Sequence, residues 1–445
     1  MRRIWVTASA LTLTLALIHI MPTVGAAQTF SVIHTFSGGG DGGVPDAGLI
    51  VDGAGNLYGA TAVGGRSEPS CNYAGASGCG IIFKLAKKNS TWPLTPLYSF
   101  TGGSDGAGPL ARVTFGPDGR LYGTARNGGD PGCTSSDTPG CGVVFRLQPA
   151  VTFCRSVSCP WTETVLYSFT GGSDGAQPES AVVFDQSGNI YGTTPDGGLT
   201  NCFGSGCGVV YELIPSQGNW TESVLYSFTG GTDGGEPFSE VLLDRSGNIY
   251  GTTPGFGIPN CFCGTVFELS PTGSGWTLST LYSFTGMTDG SDPEAGLIFD
   301  SSGSLYGSTW VGGTNTGGVA FKLTPSNGGW QYGAVYGFSG TNRGGPLSHL
   351  IFDSAGNLYG TTYGDGAYGY GAAFKLTPSN GGWSYTSLHD FTNGSDGAFP
   401  WGGLVFGPDG NLYGTAAGGA IPGCGAPVGS SSTFGCGVVY EISLN

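Results

Sequence analysis

The chain has 445 residues, 87 of them Gly and 26 Pro, with 12% aromatic and only 10% charged residues. The aromatic share argues against a disordered chain, and the scarcity of charge argues against coiled coils and charge-laced helical bundles. Thirty acidic residues against 15 basic ones, a net charge of −15, exclude a nucleic-acid partner held by phosphate neutralisation.

Residues 1–27 read as a secretory signal peptide. Arg2 and Arg3 precede an apolar run from Ile4 to Ile20, and Val24-Gly25-Ala26-Ala27 offers small residues for cleavage after Ala26 or Ala27. The competing reading is an uncleaved membrane anchor, since the run is nearly long enough to span a bilayer. Nothing in residues 28–445 is long and apolar enough for a membrane span, so the expected mature product is a single acidic domain.

That domain is periodic. Its first segment, Thr29 to Phe36, ends in Phe, and the same phrase ending recurs at Phe100, Phe169, Phe228, Phe284, Phe338 and Phe391, at intervals of 53 to 69 residues. A Tyr-Gly phrase recurs between them, at Tyr58, Tyr122, Tyr191, Tyr250, Tyr306, Tyr359 and Tyr413. A third phrase joins Gly to two small or β-branched residues and an aromatic, as in Gly142-Val143-Val144-Phe145. Each unit reads as four short strands. In the third unit these are A (181–184), B (189–193), C (208–213) and D (220–228), with a Pro-Ser-Gln-Gly turn between C and D. Strand A is apolar at consecutive positions and needs cover on both faces, which one four-stranded sheet cannot give itself. Stacked units of this size predict an all-β, seven-bladed β-propeller with four-stranded blades. The last unit supplies A, B and C from Leu404 to Ile442 but no D, whereas the N-terminal segment is a D with nothing before it. The N-terminal strand is therefore expected to join the last blade and close the ring, which removes open edges. An open β-solenoid is the competing architecture.

The phrase Asp185 to Thr194 followed by Gly197-Gly198 resembles the GloVer tandem repeat of exported bacterial "choice-of-anchor" proteins. So do the strand Gly142 to Leu147 and the loop Phe100 to Gly106. The resemblance spans about residues 30 to 442 and implies an exported or surface-associated bacterial repeat protein, with no catalytic residues to carry over. Family members often end in a sorting anchor; this sequence stops at its last strand, so anchoring through that end is not expected.

All 12 cysteines fall in local pairs: Cys71/Cys79, Cys133/Cys141, Cys154/Cys159, Cys202/Cys207, Cys261/Cys263 and Cys424/Cys436. Even count, local pairing and an export signal predict disulfides, placing the protein in the periplasm, at the cell surface or outside the cell. Cys261/Cys263, the shortest ring, is the one most prone to strain or reduction. Zinc is the weaker alternative, with two thiols per unit and three His in the mature chain.

In a four-stranded meander the B–C loops and D–A connections emerge on one face. The D–A connections repeat Asp-Gly-x-x-Pro, with Asp41, Asp105, Asp174, Asp233, Asp289 and Asp396 in six units and Asn342 in another. These residues are either turn caps or a carboxylate ring able to hold Ca²⁺, and the Asp-to-Asn exchange favours turns. No motif requires a cofactor. Three residues after each Pro, strand A carries Gly48, Arg112, Ala181, Glu240, Gly296, His349 and Gly403; one residue after it come Asp46, Glu179, Phe238, Glu294 and Trp401. Arg112, Glu240, His349, Glu179, Glu294 and Trp401 are thus candidate ligand-binding residues at the channel mouth, against a plain reading as solvated rim. The expected function is a monomeric, non-catalytic binding or surface-interaction scaffold for an extracellular ligand, a glycan or a surface protein. The alternative is a carbohydrate-active lyase or hydrolase acting at the channel mouth.

Overall fold

A computed structural model describes residues 28–444 apart from 67–70, 74–75, 134–138, 150–160, 200–201, 203, 341–343 and 425–434. The expected signal peptide, residues 1–27, lies outside these residues. Seven four-stranded antiparallel sheets form a ring, a seven-bladed β-propeller, and no helix occurs among the described residues. Blade 3 shows the plan: strand A is Val183–Phe184, B is Ile190–Thr194, C is Val209–Ser216 and D is Asn219–Ser227. Strand B is buried along its whole length in every blade.

Two local features differ from the sequence expectation. Strand A pairs over two residues rather than four, because higher up the Ser180 hydroxyl takes the place of the ladder: Thr193 N–H donates to Ser180 Oγ (3.1 Å) and Ser180 Oγ donates to the Thr193 carbonyl (3.2 Å). The C–D connection is also tighter. Pro215 and Ser216 remain in strand C, opposite Trp220 and Asn219, and the turn is Gln217-Gly218 alone. Both turn residues have positive φ (46° and 92°), the geometry of a two-residue hairpin whose twist matches its strands.

The ring closes through the N-terminal strand. Thr29–Thr35 pairs antiparallel with Val438–Ser443, so blade 7 runs from Leu404–Phe406 through Leu412–Ala416 and Val438–Ser443 to the chain's first strand. Its pairing slips between Val32 and His34, as every other C–D pair slips at the equivalent place. Such a bulge bends the strand end. Just beyond it, the phrase-ending Phe turns toward the next blade.

There it meets an aromatic of the neighbouring strand C. Phe36 meets Phe83, Phe100 meets Phe145, Phe169 meets Tyr211 and so on to Phe391 with Tyr440, at 4.9–5.3 Å between ring centroids. All seven Phe residues are fully buried. Edge-to-face pairs of this kind add about 0.5–1.5 kcal/mol each beyond area burial. Five of the strand C partners are Phe; the two Tyr, Tyr211 and Tyr440, bury hydroxyls with no hydrogen-bond partner among the described residues. The Tyr-Gly phrase follows from the same packing. A Cβ on Gly59 would lie 2.6 Å from the Phe83 ring, so only Gly fits under it. The Tyr residues pack between blades, Tyr58 on Phe115 and Tyr413 on Trp92, and six of the seven donate to the Asp of the A–B turn.

Candidate functional site at the channel mouth

Strands A lie at the axis, where neighbouring backbones nearly touch: a Cβ on Gly48 would sit 2.3 Å from the Gly402 carbonyl oxygen. Around this ring the residues run Gly48, Arg112, Ala181, Glu240, Gly296, His349, Gly403, so each long polar side chain stands between small neighbours. The small residue leaves room to reach across. Arg112 of blade 2 passes Ala181 of blade 3 and meets Glu240 of blade 4, with Nε at 2.9 Å and Nη2 at 2.7 Å from the same Oε2. Their side chains are only 25% and 18% exposed, so the pair ties the channel together rather than standing free on a rim. Glu240 raises the Arg112 pKa; burial works against Glu240 ionising, but Arg112 and then His349 hold its carboxyl below the ordinary range. Burial lowers His349, leaving a neutral imidazole at neutral pH that interacts electrostatically with both partners and makes no hydrogen bond among the described residues.

Two unlike walls adjoin at this mouth, Trp310 of one donating its backbone N–H to the Asp292 carbonyl of the other at 2.9 Å. One is aromatic. Trp401, 40% exposed, packs edge-on against Tyr363 at 5.5 Å, and Tyr363 also contacts Phe399 (4.9 Å) and Trp310 (6.4 Å). The other is acidic, built from Asp46, Glu179, Asp196, Glu236 and Asp292. Burial, then Glu179, pushes Asp46 up to about 7; burial also raises Glu179, Asp196 and Glu236. Arg126 Nε bridges Glu179 Oε1 at 3.0 Å and donates to Gln177 Oε1 at 2.8 Å. Asp46 acts electrostatically on Tyr363, joining the two walls. Glu294 N–H donates to the Asp292 carbonyl at the same level.

The residue before the repeated Pro is held in the left-handed region at Val44, Gln177, Glu236, Asp292 and Phe399, with φ between 55° and 62°. Non-glycine residues there cost about 1–3 kcal/mol each and persist where the surroundings over-determine them. Five of them ring this mouth.

The repeated Asp residues are engaged in their turns. Tyr98 donates to Asp105, Tyr167 to Asp174, Tyr226 to Asp233 (each 3.0 Å) and Tyr282 to Asp289 (2.9 Å). A backbone N–H four residues back donates to the same carboxylates, as Thr170 N does to Asp174 at 2.8 Å. His389 and His34 stand where Tyr would, 3.1 Å from Asp396 and 3.4 Å from Asp41. Asn342 lies outside the described residues. Among the described residues no three His, Cys, Asp or Glu side chains converge as a cation cage.

Five of the cysteine pairs form disulfides, with Cα atoms 4.9–5.7 Å apart: Cys71–Cys79, Cys133–Cys141, Cys202–Cys207, Cys261–Cys263 and Cys424–Cys436. Cys154 and Cys159 lie outside the described residues. The disulfides press on the D–A connections: a Cβ on Gly171 (φ +77°) would be 2.6 Å from Cys133 Sγ. Five disulfides fit an extracellular or periplasmic protein. No helix among the described residues is long and apolar enough to cross a membrane.

Of the sequence candidates, then, Arg112, Glu240 and His349 come together in the channel, while Glu179 pairs with Arg126, Glu294 bonds to Asp292 and Trp401 packs on Tyr363. Missed were Arg126, Trp310 and Tyr363. They occupy the position just after strand B, where the other blades carry Ala62, Pro195, Pro254 and Ala417. That position varies among repeats as freely as the channel position does, and this variation was the available signal. Six of the seven exposed large apolar side chains also lie on this face: Trp401, Leu199, Phe262, Met287, Tyr368 and Ile421.

Among solved structures, the chain is similar to a fungal alcohol oxidase bound to copper, at 13% identity and a TM-score of 0.53, covering 93% of this chain and 76% of that one. It also resembles a candidate 6-phosphogluconolactonase from Bacteroides uniformis (17% identity, TM-score 0.46, 78% and 84% covered). An ulvan lyase from a new polysaccharide lyase family matches at 12% identity and a TM-score of 0.47, with 86% and 88% covered. These likenesses speak to the fold alone. No curated protein matches by sequence. Residues 132–351 match the profile of the Gloeobacter/Verrucomicrobia repeat, and the same phrases run through the blades on either side. Residues 132–351 of the chain therefore belong to the Gloeobacter/Verrucomicrobia repeat family.

Proposed function

We propose that this is an exported binding protein that takes a saccharide at the mouth of its channel. The observation that carries the reading is the exposed Trp401 set against Tyr363 at 5.5 Å, with the carboxyl of Asp46 near enough to act on Tyr363. Exposed aromatic faces stack on the C–H faces of sugar rings, while carboxylates accept hydrogen bonds from hydroxyls; a few polar groups convergent on an apolar surface are what orient a small ligand. Disulfides and a rigid ring suit presentation outside the cytoplasm. A glycan array with the wild-type chain and Trp401→Ala tests this: saccharide binding by the first, lost or greatly weakened in the second, is expected. Undiminished binding by Trp401→Ala overturns the site assignment.

A second reading has one observation behind it. A neutral His349 beside an ion-paired Glu240 is a candidate base for lyase or hydrolase chemistry. Glu240, held ionised by Arg112, is poorly suited to act as the acid. Turnover in a hydrolase and lyase screen that His349→Ala abolishes would favour this reading over simple binding.

A further inference from the structure

We infer that Cys261 is a site of thiol–disulfide exchange, at which an external thiol joins the chain through a mixed disulfide. The inference is independent of the saccharide reading. Two observations separate the Cys261–Cys263 link from the other four described disulfides. Its cysteines are 2 residues apart, whereas the others are 5, 8, 8 and 12 apart. A link that closes so small a loop constrains the unfolded chain least and is held closed least firmly. Cys261 is also the one described cysteine that is not buried; Cys202 and Cys207, the equivalent pair in blade 3, are both fully buried. Exposed disulfides are the labile ones, because an attacking thiolate must reach a sulfur. The loop's fold accounts for the exposure. Gly257–Ile258 pairs with Cys261–Phe262 as a small hairpin, turning at Pro259-Asn260 with Asn260 at φ 63°. Cys261 belongs to this hairpin, whereas Cys263 lies beyond it and is buried.

The accessible sulfur is the point of attack. An incoming thiolate bonds to Cys261 Sγ, the Cys261–Cys263 S–S bond breaks, and its electron pair leaves on Cys263 Sγ, which takes a proton from water. The thiol is the one co-reactant the step needs. Attack at Cys263 would instead leave the negative charge on Cys261, whose Sγ lies 3.6 Å from the Thr285 carbonyl oxygen, an unfavourable neighbour for a thiolate. The thiol belongs either to a small molecule or to a cysteine of a polypeptide. Two exposed apolar side chains flank the site: Phe262, 58% exposed, lies between the cysteines, and Met287, 73% exposed, follows Gly286. Gly286 presses on the link itself, since a Cβ there would meet Cys263 Sγ at 2.7 Å and Cys261 Sγ at 3.4 Å. Exchange therefore also loosens the loop from the connection that leads into blade 5.

The test is peptide mapping of the full exported chain by mass spectrometry after brief exposure to reduced glutathione at about pH 8, where thiols are partly ionised. Released thiols are capped with N-ethylmaleimide at each time point. Cys261 should carry the glutathione and Cys263 the cap in the same molecule. That product should form at least about ten-fold faster than any product of the other four described pairs. A second arm replaces glutathione by a short peptide with Cys between Phe and Leu. Faster reaction of the peptide assigns the thiol to a polypeptide partner, and faster reaction of glutathione assigns it to a small molecule; either supports exchange at Cys261. The wild-type chain serves in both arms, so no variant has to fold. Earlier opening of another described pair, an adduct on Cys263 instead of Cys261, or no adduct in either arm overturns the inference.

Discussion

Closure by the N-terminal strand is tested by one contact that occurs at all seven joints. Phe36→Ala and Phe228→Ala delete the same side chain, the first on the closing strand and the second inside the continuous chain. Both rings are fully buried, and both stand edge-on to a strand C Phe at 5.3 Å, Phe83 and Phe267 respectively. Truncating a buried Phe leaves a cavity and costs about 3–5 kcal/mol, of which about 0.5–1.5 belongs to the lost aromatic pair. The two variants should therefore lose similar stability if the first strand is docked as firmly as an internal one. Each Phe also contacts the aromatic ring two residues before it, His34 at 4.8 Å and Tyr226 at 5.2 Å, which places both losses toward the upper part of that range. Denaturant unfolding under non-reducing conditions, followed by tryptophan fluorescence, reads both effects. A Phe36→Ala variant within about half a kcal/mol of wild type, beside a damaged Phe228→Ala, would refute closure through this strand.

Three further outcomes follow from the site and the core. Arg112→Ala leaves Glu240 half-buried without its cation and should cost about 1–3 kcal/mol, most of it recovered in the Arg112→Ala/Glu240→Ala double variant; additive losses in a double-mutant cycle would contradict the tie across the channel. Asp46 titrates near 7 when folded and near its ordinary 3.8 when unfolded, so between these values the folded chain holds a proton that the unfolded chain has released. Stability of the wild type relative to Asp46→Asn should accordingly fall as pH rises from about 4 to about 7 and level off above, and parallel pH–stability curves would count against it. Tyr211→Phe removes a buried hydroxyl without a partner and should raise the unfolding midpoint, by about 1–3 kcal/mol of stability; a lower midpoint would mean the hydroxyl is satisfied after all.

The architecture was legible because its contacts are made seven times over. Phe36 and its equivalents, the Tyr-Gly phrase and the strand C aromatics recur in the sequence because each serves one joint, and every joint needs the same shapes. Hairpin detail was less legible: Pro215 suggested a turn, whereas a Pro near the end of an outer hairpin is tolerated and Gln217-Gly218 alone makes the reversal. For the site, variation between repeats located the channel position but not the partnerships. Arg112 and Glu240 are 128 residues apart, and nothing local shows that Ala181 lets one reach the other. The sequence reading leaves them as ligand-binding candidates or solvated rim groups; the pair instead shields itself across the axis. Trp310 and Tyr363 escaped notice because the residue after strand B looked like the start of a loop, although it faces the same mouth.

The alternation of long and small side chains around the channel has a consequence of parity. A ring with an even number of blades could carry that alternation all the way round. Seven cannot, and somewhere two residues of the same kind must stand side by side. Here they are Gly403 and Gly48, at the seam where blade 7 meets blade 1; a Cβ on Gly48 would meet the Gly402 carbonyl at 2.3 Å, and one on Gly403 would meet the Ser348 side chain of blade 6 at 2.9 Å. Trp401 and Asp46 rise from the two sides of this same seam, one from each wall. The seven-fold pattern of the scaffold is thereby broken at a single fixed azimuth, and a polymer lying across the mouth would meet a left and a right that differ.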